Sequence, residues 1–202
     1  MLGREGRDRR LGARRFSAAA LALCLAFGLA ACGGGASLQS FDLSAAQAPS
    51  QRPLRASLTV REPLSPLALD SRRIVVRSGP NALAYLPGAQ WSDRLPVLVQ
   101  SRLAETFQNA HLFRSVERAS KPADYALELE IRRFEIDAPA DQAVVEIAAT
   151  IASGRDGRII AAQSFKHAEP AGGVTGPQAA AALDKALSTV MAQIVAFTAA
   201  KL

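Results

Sequence analysis

Residues 84–107, AYLPGAQWSDRLPVLVQSRLAETF, join a short apolar run to a turn and then to an amphipathic helix. Asp93 fits an N-cap, which puts Pro96 in the first helical turn, where a missing backbone N–H leaves no intrahelical bond unmade. Leu95, Val99, Leu103 and Phe107 recur at steps of four with Leu98 beside them, while Arg94, Gln100, Arg102 and Glu105 fall off that stripe. A helix with one apolar side must pack on something. The flanking segments indicate a sheet.

Upstream, residues 44–55, with Pro49 and Pro53, read as a loop. Leu58–Val60 starts the next ordered piece, which Pro63 and Pro66 break. Residues 71–77 (SRRIVVR) form a strand that turns at Gly79–Pro80 into a partner at Leu83–Leu86. Downstream, Phe113–Val116 returns the chain to the sheet. From Tyr125 the period is two, with Tyr125, Leu127, Leu129 and Ile131 on one face and Ala126, Glu128, Glu130 and Arg132 on the other. Phe134 and Ile136 resume the apolar set three residues after Ile131, which requires a bulge at Arg132–Arg133. Val145, Ile147, Ala149 and Ile151 continue the alternation, and residues 153–157 (SGRDG) supply a hairpin turn before a strand from Ile159 to Phe165. Pro177 suits a first helical position, and Leu183, Leu187, Val190, Ile194 and Phe197 mark a second helical stripe. The expected fold is α/β: a single sandwich domain, its mixed, mainly antiparallel sheet covered by two helices at about 93–109 and 177–199. With half the strand positions polar, one sheet face is left to meet solvent or a partner.

The N-terminus gives a second signal. Arginines at 4, 7, 9, 10, 14 and 15 precede an uncharged run from Phe16 to Ala31 that ends Leu29–Ala30–Ala31–Cys32, a secretory signal with small residues before a Cys, which marks a bacterial lipoprotein. The competing reading, a transmembrane anchor, needs about 20 strongly apolar residues, more than this Ala-rich run offers. Arg14–Arg15 hints at twin-arginine export, but Phe16 follows too closely, so general secretion is expected. The expected layout is a signal peptide at 1–31, a lipidated tether at 32–40 and one folded domain at 41–202. Since Cys24 lies in the segment to be removed, the mature chain has no partner for a disulfide.

Charge excludes another class. The chain carries +6, but the first 31 residues hold +4 of it, and a mature chain near +2 with no basic stripe gives little reason to bind nucleic acid.

Tyr85, the run Trp91–Ser92–Asp93–Arg94–Leu95–Pro96 and a helix ending near Phe107 resemble the ABC-type transport auxiliary lipoprotein family, with weaker agreement along the mature chain. These are periplasmic lipoproteins that accompany lipid transporters built from an ABC ATPase, a permease and a mammalian-cell-entry (MCE) domain protein. The resemblance implies a first short strand at Phe41–Leu43, cleavage between Ala31 and Cys32, a diacylglyceryl thioether on Cys32, and an N-acyl chain such as palmitate on its amino group. Two or more chains make such an anchor stable. Gly33, where Asp would retain the protein in the inner membrane, implies sorting to the outer membrane by analogy. The resemblance also implies a non-enzymatic docking subunit on the periplasmic side, partnered by the MCE protein with its ATPase and permease, and assembly into a homo-oligomeric ring.

Motifs for catalysis are missing. The sequence has no G-x-x-x-x-G-K-[ST], G-x-S-x-G, H-E-x-x-H or Cys-x-x-Cys, so no metal or other cofactor is expected beyond the acyl groups. His111 follows a helix and reads as a stabiliser of its C-terminal dipole, His167 as a solvated strand end, and Glu128, Glu130 and Glu146 as members of the polar sheet face. Arg132 and Arg133 read as solvated, with lipid headgroups as the alternative. Tyr85 and Trp91 have two readings: plugs at the strand–helix junction, or anchors of a docking loop at Leu86–Trp91. A structural or assembly lipoprotein of the envelope is the rival function, and a hydrolase would need a concave site of converging titratable groups.

Overall fold

A computed structural model of the chain describes residues 38–49, 52–118 and 123–202. Its elements in order are β1 (Gln39–Phe41), β2 (Leu54–Val60), β3 (Arg73–Gly79), β4 (Ala82–Trp91), α1 (Leu95–Asn109), β5 (Phe113–Glu117), β6 (Tyr125–Asp137), β7 (Gln142–Ser153), β8 (Ile159–Pro170) and α2 (Gly176–Lys201).

β6 is the strand on which the sheet is built. One edge carries β7, antiparallel from Tyr125↔Ser153 to Asp137↔Gln142. The other edge is shared by two strands, both parallel to it: β2 pairs from Leu58↔Tyr125 to Val60↔Leu127, and β3 from Val75↔Glu135 to Arg77↔Asp137. Between them the Leu64 N–H donates to the Leu129 carbonyl (2.9 Å), and the Ile131 N–H donates to the Leu64 carbonyl (2.8 Å). The chain therefore runs beside β6 in one course, interrupted by an excursion around Pro66, where proline cannot donate to a ladder. β5 flanks β2, β4 flanks β3, β1 flanks β4 and β8 flanks β7.

Among the described residues, four of the seven strand pairings are parallel and three antiparallel. The expectation of a mainly antiparallel sandwich is thus met only in part: the sheet is mixed and curls into a half-barrel around the helices. The hairpins expected from turn chemistry are antiparallel, but β2 and β3 meet β6 only after the chain has passed through α1, and such a return runs parallel.

The expected bulge is present as a register shift between Ile131 and Arg133. It places Ile131, Phe134 and Ile136 on the same inner face, all essentially inaccessible. Both helices cover this face. α1 packs on β5 and β2, α2 lies across β7 and β8, and the two meet where the Thr106 hydroxyl approaches the Met191 sulfur at 3.7 Å. α2 is long and apolar enough to cross a membrane, yet Leu183, Leu187, Val190 and Ile194 are fully buried in this core.

Several boundaries differ from expectation. The first strand is Gln39–Phe41 rather than Phe41–Leu43. Residues after it form a strap over both helices: the Ser44 N–H donates to Asp184 Oδ1 (2.7 Å), the Ala46 N–H donates to Thr106 Oγ1 (3.0 Å), and Leu43 and Ala46 are buried. Arg94, not Asp93, is the N-cap of α1. Pro96 offers no donor to a capping carboxylate, and the Leu95 N–H instead donates to the Ser71 carbonyl at 3.0 Å. Likewise Pro177 takes the second position of α2, after Gly176. β8 continues past Phe165 to Pro170.

A cross-check on the β6–β7 hairpin is Gly154, where an added Cβ would lie 1.8 Å from the Ala123 carbonyl oxygen. Gly154→Ala is expected to destabilise the protein by about 1–3 kcal/mol through overpacking, measured by urea unfolding, and an unchanged midpoint contradicts the placement.

Candidate functional site

The residues of expected function fall in different places. Ala31, Cys32 and Gly33 lie outside the described residues. Leu86–Trp91, expected as a docking loop, is instead the second half of β4, and β1 pairs with it from Gln39↔Ala89 to Phe41↔Trp91. The strand bulges there: Arg73 pairs with Gln90 and Val75 with Tyr85, so residues 86–89 oppose Ile74 alone, with Gly88 at φ 71°. That extra length carries the two aromatics to opposite faces.

Trp91 points into the core. It is 1% exposed and meets Phe134 edge-on at 5.7 Å. Burial rules it out as a surface anchor. Tyr85 is 41% exposed on the outer face, and the Arg73 guanidinium sits 4.6 Å from its ring centroid. Among the described residues that guanidinium has no carboxylate partner.

An ionic cluster lies beside this pair. Glu135, 4% exposed, takes Arg77 Nε and Arg133 Nε at 2.7 Å each, and Arg133 Nη2 also reaches Asp137 Oδ2 at 3.2 Å. The hydrogen bonds that Arg77 donates to Glu135 hold the Arg77 pKa above its ordinary value. Arg133 is therefore tied into the protein rather than solvated, and Arg132 pairs with Glu130 and donates to the Ser164 hydroxyl. Reading the sequence did not find this cluster: after the bulge Glu135 occupies an outward position, and its pairing joins Arg133 of its own strand to Arg77, 58 residues away. Arg94, at the start of α1, pairs with Asp70 and with Glu62.

His111 adopts φ 52° just past α1, in the left-handed region, and is exposed. His167 is not a solvated strand end. It lies within β8, half-buried, its Nε2 2.9 Å from Glu169 Oε1, while Lys185 Nζ of α2 donates to Glu169 Oε2 at 2.7 Å. Lys185 first and His167 second hold the Glu169 pKa below its ordinary 4.5. Glu128, Glu130 and Glu146 do sit on the polar face, paired with Arg61, Arg132 and Lys166.

Two open troughs mark the surface. One, of about 440 Å³ on the outer face, runs past Leu64, Glu130, Ala148 and Thr150. The other, of about 500 Å³ between β8 and α2, is floored by Phe165 and Phe197. Among the described residues no group of three or more His, Cys, Asp or Glu side chains is placed to hold a metal ion.

A family model for the ABC-type transport auxiliary lipoprotein component matches residues 37–195. An uncharacterised protein of Bradyrhizobium diazoefficiens is 31% identical over 176 residues, covering 82% of this chain and 47% of the relative, so the chain spans about half of that relative's length. A crystal structure of a Xanthomonas campestris protein superposes with a TM-score of 0.73 at 26% identity, covering 79% of this chain and 92% of that one. A second solved protein, uncharacterised, shares the fold at a TM-score of 0.61 and 12% identity, covering 78% and 99%.

Trp91→Ala is expected to lower stability by about 3–5 kcal/mol in urea unfolding, whereas Tyr85→Ala costs less than about 1 kcal/mol; equal costs contradict the assignment of faces. Because the Glu169 pKa is depressed, its contribution is present above the ordinary carboxylate range and lost as pH falls through the folded-state value. Glu169→Gln is expected to show a shallower decline of melting temperature below about pH 4.3 than the wild type, and parallel profiles contradict the pairing.

Proposed function

This chain belongs to the ABC-type transport auxiliary lipoprotein family, and on that premise we propose that it is the lipid-anchored, non-enzymatic docking subunit of an MCE-type lipid transport system. The observation that carries the reading is the extent of the match: residues 37–195 include every strand and most of α2, and they begin shortly after the lipoprotein signal ending in Cys32. In this reading Cys32 carries a diacylglycerol and an N-acyl chain, Gly33 directs the protein to the outer membrane, and the domain faces the periplasm. ATP hydrolysis belongs to a separate subunit, since the chain has no phosphate-binding loop. The partners are an MCE-domain protein, its ATPase and its permease, and the lipoprotein itself assembles as a homo-oligomer.

The outer-face carboxylates support a scaffolding role, because Glu128, Glu130 and Glu146 each face a cation of the same domain rather than converging on a cleft. Surface pairs of this kind contribute little to stability. They leave a neutral surface for a partner.

The test is a mild-detergent pull-down of the tagged lipoprotein from native membranes, with mass spectrometry of the co-purified proteins and Cys32→Ala as the comparison. Recovery of an MCE-domain protein with its ATPase and permease, reduced by Cys32→Ala, is the expected result. Recovery of an unrelated envelope protein alone contradicts it and favours an assembly lipoprotein.

A further inference from the structure

We propose that one end of the domain, formed by the β3–β4 hairpin, the start of β1 and the loop before α2, is a membrane-contacting surface that rests on a phospholipid bilayer. The proposal rests on the lipoprotein reading above, since acylated Cys32 holds that end close to the bilayer.

Exposed apolar side chains gather there, although Leu64, Leu67 and Ile159, which are more exposed, lie elsewhere. Seven large apolar residues are exposed among the described ones, and four of them, Leu38 (57%), Leu83 (50%), Tyr85 (41%) and Val174 (41%), belong to this end. Leu38 precedes Gln39, which pairs with Ala89 of β4, the strand that carries Leu83 and Tyr85. Val174 is brought in by Gly176, where an added Cβ would lie 3.0 Å from the Ala89 Cβ and 3.2 Å from the Phe41 ring. The Gly173 N–H donates to Asp141 Oδ1 at 3.1 Å, which ties the same loop to the β6–β7 turn.

Charge at this end suits a headgroup layer. Glu135 and Asp137 are already matched by Arg77 and Arg133. Arg73, stacked on Tyr85 and without a carboxylate partner among the described residues, is a cation that can meet a lipid phosphate. A tyrosine ring beside a guanidinium fits the interfacial layer, where an apolar body and a polar tip are both accommodated.

The direction of chain entry favours the hairpin end. From Cys32 to Gln39 the fully extended chain reaches at most about 25 Å. β6, with 13 residues, is about 43 Å long. β1 pairs with the last residues of β4, Gln39 beside Ala89, and runs away from the hairpin turn, so the chain enters from the hairpin side, and the opposite end, with exposed Ile159 and the turn at residues 154–158, is the farther of the two from the tether in an upright domain.

The experiment uses the full lipidated chain in vesicles of phosphatidylethanolamine and phosphatidylglycerol containing brominated phosphatidylcholine. An environment-sensitive dye is placed on Leu83→Cys, Val174→Cys, Leu67→Cys or Ile159→Cys, each variant first matched to the wild type in melting temperature. Dyes at 83 and 174 are expected to be quenched at least about twofold more than those at 67 and 159. Equal quenching at all four positions, or stronger quenching at 159, overturns the proposal. So does a response at 83 and 174 that appears only when an MCE-domain protein is added. The mass of the N-terminal peptide separates the two readings: an unacylated Cys32 removes the lipoprotein reading and this proposal together, whereas acylated Cys32 with even quenching removes this proposal alone.

Discussion

Two strands share one edge of β6, and the rest of the domain depends on that pairing. β2 and β3 satisfy the backbone of β6 at its two ends, and Leu64 bridges the gap at Glu130. A long strand left with an open edge in mid-sheet would bury unpaired N–H and C=O groups, at a cost comparable to the hydrogen bonds lost. The bulge between Ile131 and Arg133 keeps both halves of β6 facing the same core. Without it Phe134 and Ile136 would turn outward, and Trp91 would lose the ring it packs against.

The same geometry separates three environments. The inner face is given over to the helices, with Leu103, Phe107, Leu187 and Ile194 fully buried. The outer face of β6, β7 and β8 is polar and internally paired. The β3–β4 hairpin carries the exposed Leu83 and Tyr85, and β1 runs away from its turn beside the last residues of β4. The chain, a member of the auxiliary lipoprotein family, thus combines a buried core with a polar face whose carboxylates are paired within the domain.

Much of this was legible in local sequence. The three-residue step from Ile131 to Phe134 located the bulge, SGRDG located the β7–β8 turn, and the stripe from Leu183 to Phe197 located α2. These signals are local because alternation and turn chemistry act within a few residues. The parallel pairings were not legible, since the choice of β2 and β3 as neighbours of β6 is made between residues some 60 apart in sequence. Nor was the burial of Glu135, which depends on arginines from two strands. Trp91 and Tyr85 looked alike because an aromatic suits a core and an interface equally well; the bulge at residues 86–89 assigns them to opposite faces. The strap at residues 42–48 carries no periodic signal, and its backbone is satisfied by Asp184 and Thr106 from distant helices.

Native-state amide hydrogen exchange tests most directly whether β6 is the element on which the fold depends. The account predicts that the amides of Leu127, Leu129 and Ile131, together with those of their β7 partners, exchange only through global unfolding, more slowly than any in β8, β1 or α1. Exchange of the β6 amides through a local opening, while α2 or β8 stays protected, would contradict it.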